Sequence, residues 1–258
     1  MKRVELLGPS GVGKTLLYHR VSSQFQYRRF LNIEEACLKA ALAKQPVFPS
    51  MKYLFYLLLK SGCFKWKRQG LAHHLLLDEE GSGVAREGYW LSFKTLEAYL
   101  LQEKDAAVVK KRLENFVRNV QRNRVLDKRL ERDDLVFFDE GLLHHHHGFE
   151  PELFHCYTPE EIQTDQGLQI DGIVLCDLSF GKNMERILTR KKQGIRTFSH
   201  GHLNGVALEN YVFQARLEYQ LKVEVLKKIG VRILRLNMED DLRDNAERIG
   251  LFINNLTS

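Results

Sequence analysis

Residues 8–15 form a glycine-rich motif near the start of this chain, with the sequence Gly-Pro-Ser-Gly-Val-Gly-Lys-Thr. It matches Gly-x-x-x-x-Gly-Lys-[Ser/Thr] at every fixed position, and it stands between a strand-like run at residues 3–7 and a helix-like run at residues 16–23. Glycines let such a loop wind tightly, so that its backbone N–H groups and the helix N-terminus face bound phosphates. The motif predicts a phosphate-binding loop (P-loop). The alternative, a glycine-rich turn without a ligand, does not require the Lys-Thr pair.

The residue types in this loop predict what each contributes to binding. Lys14 would reach the β- and γ-phosphates, and the hydroxyl of Thr15 would join the coordination shell of Mg²⁺. The nucleotide contacts are expected from the loop and the first helical residues, namely Gly8, Ser10, Gly11, Val12, Gly13, Lys14, Thr15 and Leu16.

Four short apolar runs predict the core strands of a parallel sheet, at residues 3–7, 135–139, 172–177 and 231–237. Long stretches with helical spacing separate them, which predicts an α/β fold. A fifth strand is expected at residues 29–33 or at residues 75–78. At 258 residues and 44% hydrophobic content, the chain is expected to form a single domain over residues 1–258.

Residues 30–132 are mostly helical in pattern and longer than one crossover connection needs, which predicts an inserted helical lobe that binds the acceptor. Within it, residues 110–132 carry nine basic and three acidic residues. The pattern predicts an amphipathic helix with an apolar face of Leu113, Val117, Val120 and Leu130 and a basic face of Lys111, Arg118, Arg122 and Arg129. The basic face either meets an acidic acceptor or is simply solvated.

An apolar strand at residues 135–138 ends in the acids Asp139 and Glu140. Parallel strands deliver such side chains to the carboxyl edge of the sheet, beside the P-loop. Asp139 is therefore the expected partner of Mg²⁺, and Glu140 is expected to orient or deprotonate the attacking group. On the alternative reading, the two acids only terminate a strand.

A basic segment follows the strand that ends at Asp177, and it predicts a mobile lid over about residues 184–205. Arg186 and Arg190 are four residues apart and share a helix face. With Arg196, they could close over the migrating phosphoryl group and stabilise its charge. A plain basic helix and loop is the alternative.

These motifs together resemble the nucleoside/nucleotide kinase group of P-loop proteins, a group that includes thymidylate kinase. The resemblance rests on the N-terminal P-loop, Asp139 after a central strand, and Asp177 followed by Glu185–Arg186–Ile187 and Arg190. It implies a parallel five-stranded sheet flanked by helices, ATP as donor, Mg²⁺ as cofactor, and lid arginines on the phosphates. The Asp-Arg dipeptide of many nucleotide kinases is Asp-Glu here.

Four consecutive histidines, His144 to His147, follow the acidic pair and could bind an acceptor or a metal, or be structural or solvated. His200 and His202 in the lid region could contact phosphates. Four scattered cysteines favour a reducing compartment, and the N-terminus leaves no room for a signal peptide, so a cytoplasmic location without a membrane partner is expected.

The sequence therefore predicts a phosphotransferase that acts on a small hydroxyl or phosphate acceptor. An NTP-hydrolysing ATPase or switch is the second reading, because an acidic pair after a strand also suits activation of water. A 5′-hydroxyl polynucleotide kinase is the third, because a net charge of +6 and the basic helix suit a polyanion. The sequence leaves open the acceptor, the choice between ATP and GTP, and the oligomeric state.

Overall fold

The computed structural model describes residues 1–25, 30–43, 53–54, 56–57, 87–149, 154, 156–195 and 200–257. Its strands are β1 Lys2–Leu7, β2 Phe30–Asn32, β3 Leu135–Phe138, β4 Gly172–Asp177 and β5 Arg232–Asn237. The helices are α1 Lys14–Gln24, α2 Ile33–Leu42, α3 Trp90–Leu100, α4 Ala106–Arg129, α5 Leu142–His145, α6 Pro159–Gln163, α7 Phe180–Lys192, α8 Gly205–Lys228 and α9 Leu242–Thr257, with a 3₁₀ turn at Glu87–Tyr89 before α3.

The five strands form one parallel sheet in the order β2-β3-β1-β4-β5. The four strand positions expected from the sequence are confirmed, and the fifth strand is β2, at the first of its two expected positions. Residues 75–78, the other candidate, lie outside the described residues. The chain leaves β1 towards β2 and leaves β4 towards β5, in opposite directions across the sheet. A crevice for a ligand is expected between the carboxyl ends of these two neighbouring strands.

Both faces of the sheet are covered by helices, which explains why β1, β3 and β4 are almost continuously apolar. On one face, α1 and α9 pack against the sheet through Val21, Ile249 and Ile253, among others. On the other face, α8 contributes Val223 and Leu226 to a second core. The expected α/β fold, with a five-stranded parallel sheet between helices, is confirmed.

Helix α4 carries the basic segment of the sequence, and its buried stripe differs from the predicted one. Phe116, Val120 and Leu126 are buried, whereas Leu113, which we expected on the apolar face, is 39% exposed. The stripe begins at Phe116, and Leu113 lies about one turn before it. The prediction for Leu113 was therefore wrong. Among the described residues, no helix is both long enough and apolar enough to cross a membrane.

Candidate active site

The P-loop runs from the end of β1 to the start of α1, in the crevice predicted by the strand order. Gly8 has φ 144°, and a Cβ there would lie 2.5 Å from the carbonyl oxygen of Cys176 in β4. Gly11 has φ 86°, and its Cβ would lie 2.8 Å from the side chain of Ile187. Other residues would be strained and would clash at these two positions. The glycines therefore let the loop lie directly against β4 and α7.

Lys14 is folded back over this loop. Its Nζ donates to the carbonyl oxygens of Gly8 at 2.7 Å and Pro9 at 3.0 Å, and its side chain is buried. Burial lowers the pKa of the ammonium, and the nearby Asp139 and Glu140 oppose that shift. An ammonium held by loop carbonyls can exchange them for phosphate oxygens without leaving the loop.

Thr15 and Asp139 meet as the sequence predicts, although they are 124 residues apart. The Thr15 hydroxyl donates to Oδ2 of Asp139 at 2.9 Å, while Oδ1 of the same carboxylate is buried without a hydrogen-bond partner in the structure. A hydroxyl and a carboxylate with a free oxygen are the hard oxygen ligands that Mg²⁺ prefers. Within the described residues, no cluster of three or more His, Cys, Asp or Glu side chains could hold a metal by itself. This pair therefore suits Mg²⁺ that is also coordinated by phosphate and water, as in P-loop proteins.

Glu140 lies beside this pair with its side chain 57% exposed. Partial burial raises the pKa of its carboxyl group, and the charge of Asp139 adds to the effect. The guanidinium of Arg122, from α4, donates to the backbone carbonyl of Glu140 at 3.3 Å and lies 5.5 Å from the ring centre of Phe138. Arg122 is thus one member of the predicted basic face that is not simply solvated. It helps to hold the acidic pair in place.

Glu5 lies next to the site but was not predicted from the sequence. It is fully buried in β1, and its carboxylate accepts the backbone N–H groups of Leu142 at 3.1 Å and Leu143 at 3.0 Å. A Cβ on Gly141 would come within 2.1 Å of that carboxylate. Burial raises the pKa of Glu5, and Arg3 and the two N–H groups oppose the shift. Glu5 therefore fixes the start of α5, just after the acidic pair. The one sign of this role in the sequence is a charged residue within an otherwise apolar stretch of β1.

Three of the four histidines contact side chains of helix α8 or helix α3. His144 Nδ1 lies 3.0 Å from the hydroxyl of Tyr219 in α8, and His147 Nδ1 lies 3.2 Å from Glu218. His146 is buried, with Nε2 2.6 Å from Thr95 Oγ1 in α3. Burial is the main cause that lowers the pKa of all four imidazoles. They are therefore neutral near pH 7. His146 has a structural environment, whereas the other three line the cavity described below.

Helix α7 carries the arginines of the predicted lid. Arg186 donates to the carbonyl oxygens of Val12 at 2.8 Å and Met238 at 3.1 Å, so it ties the P-loop to the segment after β5. Arg190 lines the cavity, and its guanidinium has no hydrogen bond or ion pair with another described residue. Arg196 lies outside the described residues. His200, beyond that gap, is buried with Nε2 3.0 Å from the hydroxyl of Ser10.

A cavity of about 1240 Å³ joins these groups. One part of its lining comes from the P-loop, from α7 and from the segment after β5, including Met238, Leu242 and Asn245. The other part comes from Glu140, the histidine segment and the helices α4 and α8, including Lys111, Arg112, Glu218 and Tyr219. The predicted site residues that line this one cavity therefore include Lys14, Thr15, Glu140, Arg186 and Arg190. Asp139 is hydrogen-bonded to Thr15.

Comparison with known proteins gives no close relative. No protein-family model matches the chain, and no curated protein matches it. Similar solved structures include deoxyadenosine kinase from M. mycoides with bound dATP, at 15% identity and a TM-score of 0.44, covering 98% of this chain and 100% of that one. The same enzyme with bound dCTP gives 14% identity and a TM-score of 0.42, covering 98% and 99% of the two chains. At this distance, the site assignment rests on the geometry of this chain.

Proposed function

We propose that this chain is a Mg²⁺-dependent phosphotransferase. It moves the γ-phosphoryl group of a nucleoside triphosphate, expected to be ATP, to a hydroxyl or phosphate group of a small, nucleoside-like acceptor. The observation that carries the proposal is the contact of Thr15 with Asp139, which leaves one buried carboxylate oxygen unpartnered beside the P-loop. A turn that bound nothing would not need this arrangement.

The size of the cavity favours transfer over simple hydrolysis. Pockets for one small ligand usually measure about 300–1,000 Å³. The cavity here, about 1240 Å³, exceeds that range. Its lining includes the P-loop and α7 as well as the histidine segment, α4 and α8. It therefore has room for a nucleotide and a second small molecule, whereas a hydrolase needs room only for water.

The residues of the P-loop bind and orient the donor in this proposal. Lys14 exchanges the carbonyl oxygens of Gly8 and Pro9 for β- and γ-phosphate oxygens. Thr15 and Asp139 would hold Mg²⁺, which, when bound, supplies positive charge next to those oxygens. Arg186 keeps the loop attached to the segment after β5, so that the phosphates meet a preformed site.

Glu140 and Arg190 act on the transfer itself. Glu140 accepts the proton of the acceptor hydroxyl, and its raised pKa makes it a better base than an ordinary carboxylate. The guanidinium of Arg190, which has no hydrogen bond or ion pair with another described residue, is available for the charge that spreads over the migrating group. We propose the same role for Arg196.

The test measures ADP release with and without a panel of nucleosides, nucleotides, sugars and 5′-hydroxyl oligonucleotides. Turnover should be slow without an acceptor and fast with one member of the panel. Arg190→Ala should lower transfer about a hundredfold or more and leave ATP binding nearly intact, since its charge acts on the transition state. Lys192→Ala, which removes a positive charge from an exposed position of the same helix, is the matched control and should behave as wild type.

The panel also separates the competing readings. Fast, acceptor-independent hydrolysis that survives loss of Arg190 would replace the kinase proposal with an ATPase. A response to oligonucleotides alone would favour the polynucleotide kinase. In the structure, Arg112 of the basic helix is engaged by Glu103 and Tyr99, so fewer free charges face a polyanion than the sequence suggests.

A further inference from the structure

Three polar side chains from different elements form a line into the cavity. The hydroxyl of Tyr219, in α8, lies 3.0 Å from Nδ1 of His144. The other nitrogen of the same ring, Nε2, lies 3.7 Å from Oε1 of Glu140. The two ring nitrogens of His144 thus face two different partners, one buried and one at the site of reaction.

The hydrogen bond to Tyr219 decides which nitrogen carries the proton. Tyr219 is 8% exposed, and His144 is the partner of its hydroxyl within the described residues. If the hydroxyl instead accepted a hydrogen bond from Nδ1–H, its own O–H would have no acceptor among the described residues, and leaving this largely buried donor unpaired costs more than the bond gains. The hydroxyl therefore donates to Nδ1, and the proton of the neutral imidazole lies on Nε2.

The environment keeps His144 neutral and Tyr219 protonated, as this arrangement requires. Burial, and then the positive charge of Lys14, lower the pKa of His144 well below its ordinary value. Burial raises the pKa of Tyr219 well above its ordinary value. The Nε2–H group then points towards a carboxylate oxygen, which is an acceptor. The contacts at Nδ1 and at Nε2 therefore both favour the tautomer with the proton on Nε2.

We propose that Tyr219 locks His144 in the Nε2–H tautomer, and that this N–H group positions the carboxylate of Glu140 for the acceptor hydroxyl. The inference rests on the proposed transfer reaction. The 3.7 Å separation is too long for a hydrogen bond, but the Glu140 side chain is more than half exposed, so a small rotation of it would bring the two atoms within hydrogen-bond distance. His145 Nε2, 3.8 Å from the other carboxylate oxygen, has no such lock among the described residues.

In the reaction, His144 neither gains nor loses a proton. The acceptor oxygen forms a bond to the γ-phosphorus as the bond from that phosphorus to the β,γ-bridging oxygen breaks. The acceptor proton passes to Glu140, and ADP leaves with the electron pair of the broken bond. The role of His144 is to hold Glu140 with one oxygen facing the acceptor, so it is a positioning residue.

The tautomer can be measured without turnover. Long-range ¹H–¹⁵N correlation spectra of the full chain report which imidazole nitrogen carries the proton, and loss of a signal in His144→Gln assigns the residue. We expect Nε2–H in wild type and a mixture of tautomers in Tyr219→Phe, because the lock is removed. A proton on Nδ1 of wild-type His144 would overturn the inference, whatever reaction the chain performs.

Kinetics then test the positioning. Transfer is measured with the panel acceptor that responds best, and hydrolysis of ATP is measured alongside. His144→Asn retains an amide near Nδ1 but lacks the donor at Nε2, and it should lower kcat about tenfold or more with an unchanged KM for ATP. His144→Gln, whose amide N–H reaches the Nε2 position, should restore most of kcat. Tyr219→Phe should lower kcat about fivefold, as expected for one lost hydrogen bond.

A purely structural role would give a different pattern. His144→Asn and His144→Gln would then be equally impaired, with a lower melting temperature and a changed KM for ATP, and the positioning role would be refuted. His19→Asn is the control, because His19 is exposed on α1 outside the cavity. If no panel member accepts phosphate, the proposed transfer fails, while the tautomer measurement still decides the hydrogen-bond assignment.

Discussion

Acidification should destabilise this protein through its histidine segment, and His145 allows the size of the effect to be worked out. Its side chain is 20% exposed. Burial, followed by the positive charges around it, lowers its pKa from 6.5 to about 4. In the unfolded chain, the same imidazole takes up a proton near pH 6.5. Between these two values the unfolded state therefore binds one more proton than the folded state.

The sign follows from proton linkage. Stability rises with pH wherever the unfolded state binds more protons, so the contribution of His145 is full above pH 6.5 and is lost as the pH falls towards 4. A difference of 6.5 − 4, or about 2.5 pH units at about 1.4 kcal/mol each, corresponds to about 3 kcal/mol over the whole window. The pKa values of His144, His146 and His147 are lowered too, so their contributions have the same sign.

The assay is urea unfolding, followed by tryptophan fluorescence, at intervals between pH 7.5 and pH 5, above the range in which ordinary carboxyl groups titrate. The lowered pKa values of the histidines reduce wild-type stability as the pH falls over this interval, whereas the raised pKa values of Glu5 and Glu140 act in the opposite direction. His145→Gln should lose about 2 kcal/mol less, because it removes one of the protons that the unfolded state takes up. His19→Gln, at an exposed position, should follow wild type. A slope in His145→Gln that equals the wild-type slope would show that His145 does not take up this proton on unfolding.

Three other substitutions test the loop, the buried carboxylate and the metal site. Gly8→Ala should weaken triphosphate binding and lower the free energy of unfolding, since the added Cβ would lie 2.5 Å from the carbonyl oxygen of Cys176. Gly181→Ala is the control, because no atom lies within 4 Å of the added Cβ in α7, and it should leave the free energy of unfolding unchanged or raise it. Glu5→Gln should cost about 2–3 kcal/mol in urea unfolding, because its amide cannot accept both N–H groups at the start of α5; an unchanged midpoint would show that the contact matters little. Asp139→Asn should lower turnover far more than ATP affinity across a Mg²⁺ titration, and full activity at ordinary Mg²⁺ would remove Asp139 from the site.

Local patterns in the sequence predicted the sheet, and they predicted that the glycine-rich loop and the acids after β3 lie at the same edge of it. Short motifs with a known backbone context predict the placement of the loop glycines, of the Lys-Thr pair and of the acids after β3. The meeting of Thr15 with Asp139 follows once both are placed at the carboxyl edge of neighbouring strands. Strand β2 was harder to predict, because it has only three residues and lies at the edge of the sheet.

The rest of the site depends on contacts between elements that are distant in sequence. Glu5 binds backbone groups 137 and 138 residues away, and Tyr219 lies 75 residues from His144. No periodicity in one segment reports such a partner. The position of Arg122 is a similar case. Helical spacing places it on a basic face, but it does not reveal that this part of the face packs against Phe138 of β3. The lid and the single-domain organisation stay predictions.

The fate of the γ-phosphoryl group distinguishes transfer to an acceptor from hydrolysis. Wild-type protein is incubated with Mg²⁺, γ-labelled ATP and each member of the acceptor panel, and the labelled products are separated. The proposed transfer reaction predicts label in an organic phosphate product, lost in Lys14→Ala and retained in Lys192→Ala, because Lys14 is the side chain that the loop would bring to the phosphates. Label that appears only as inorganic phosphate, at a rate independent of every acceptor, or transfer that survives in Lys14→Ala, would contradict it.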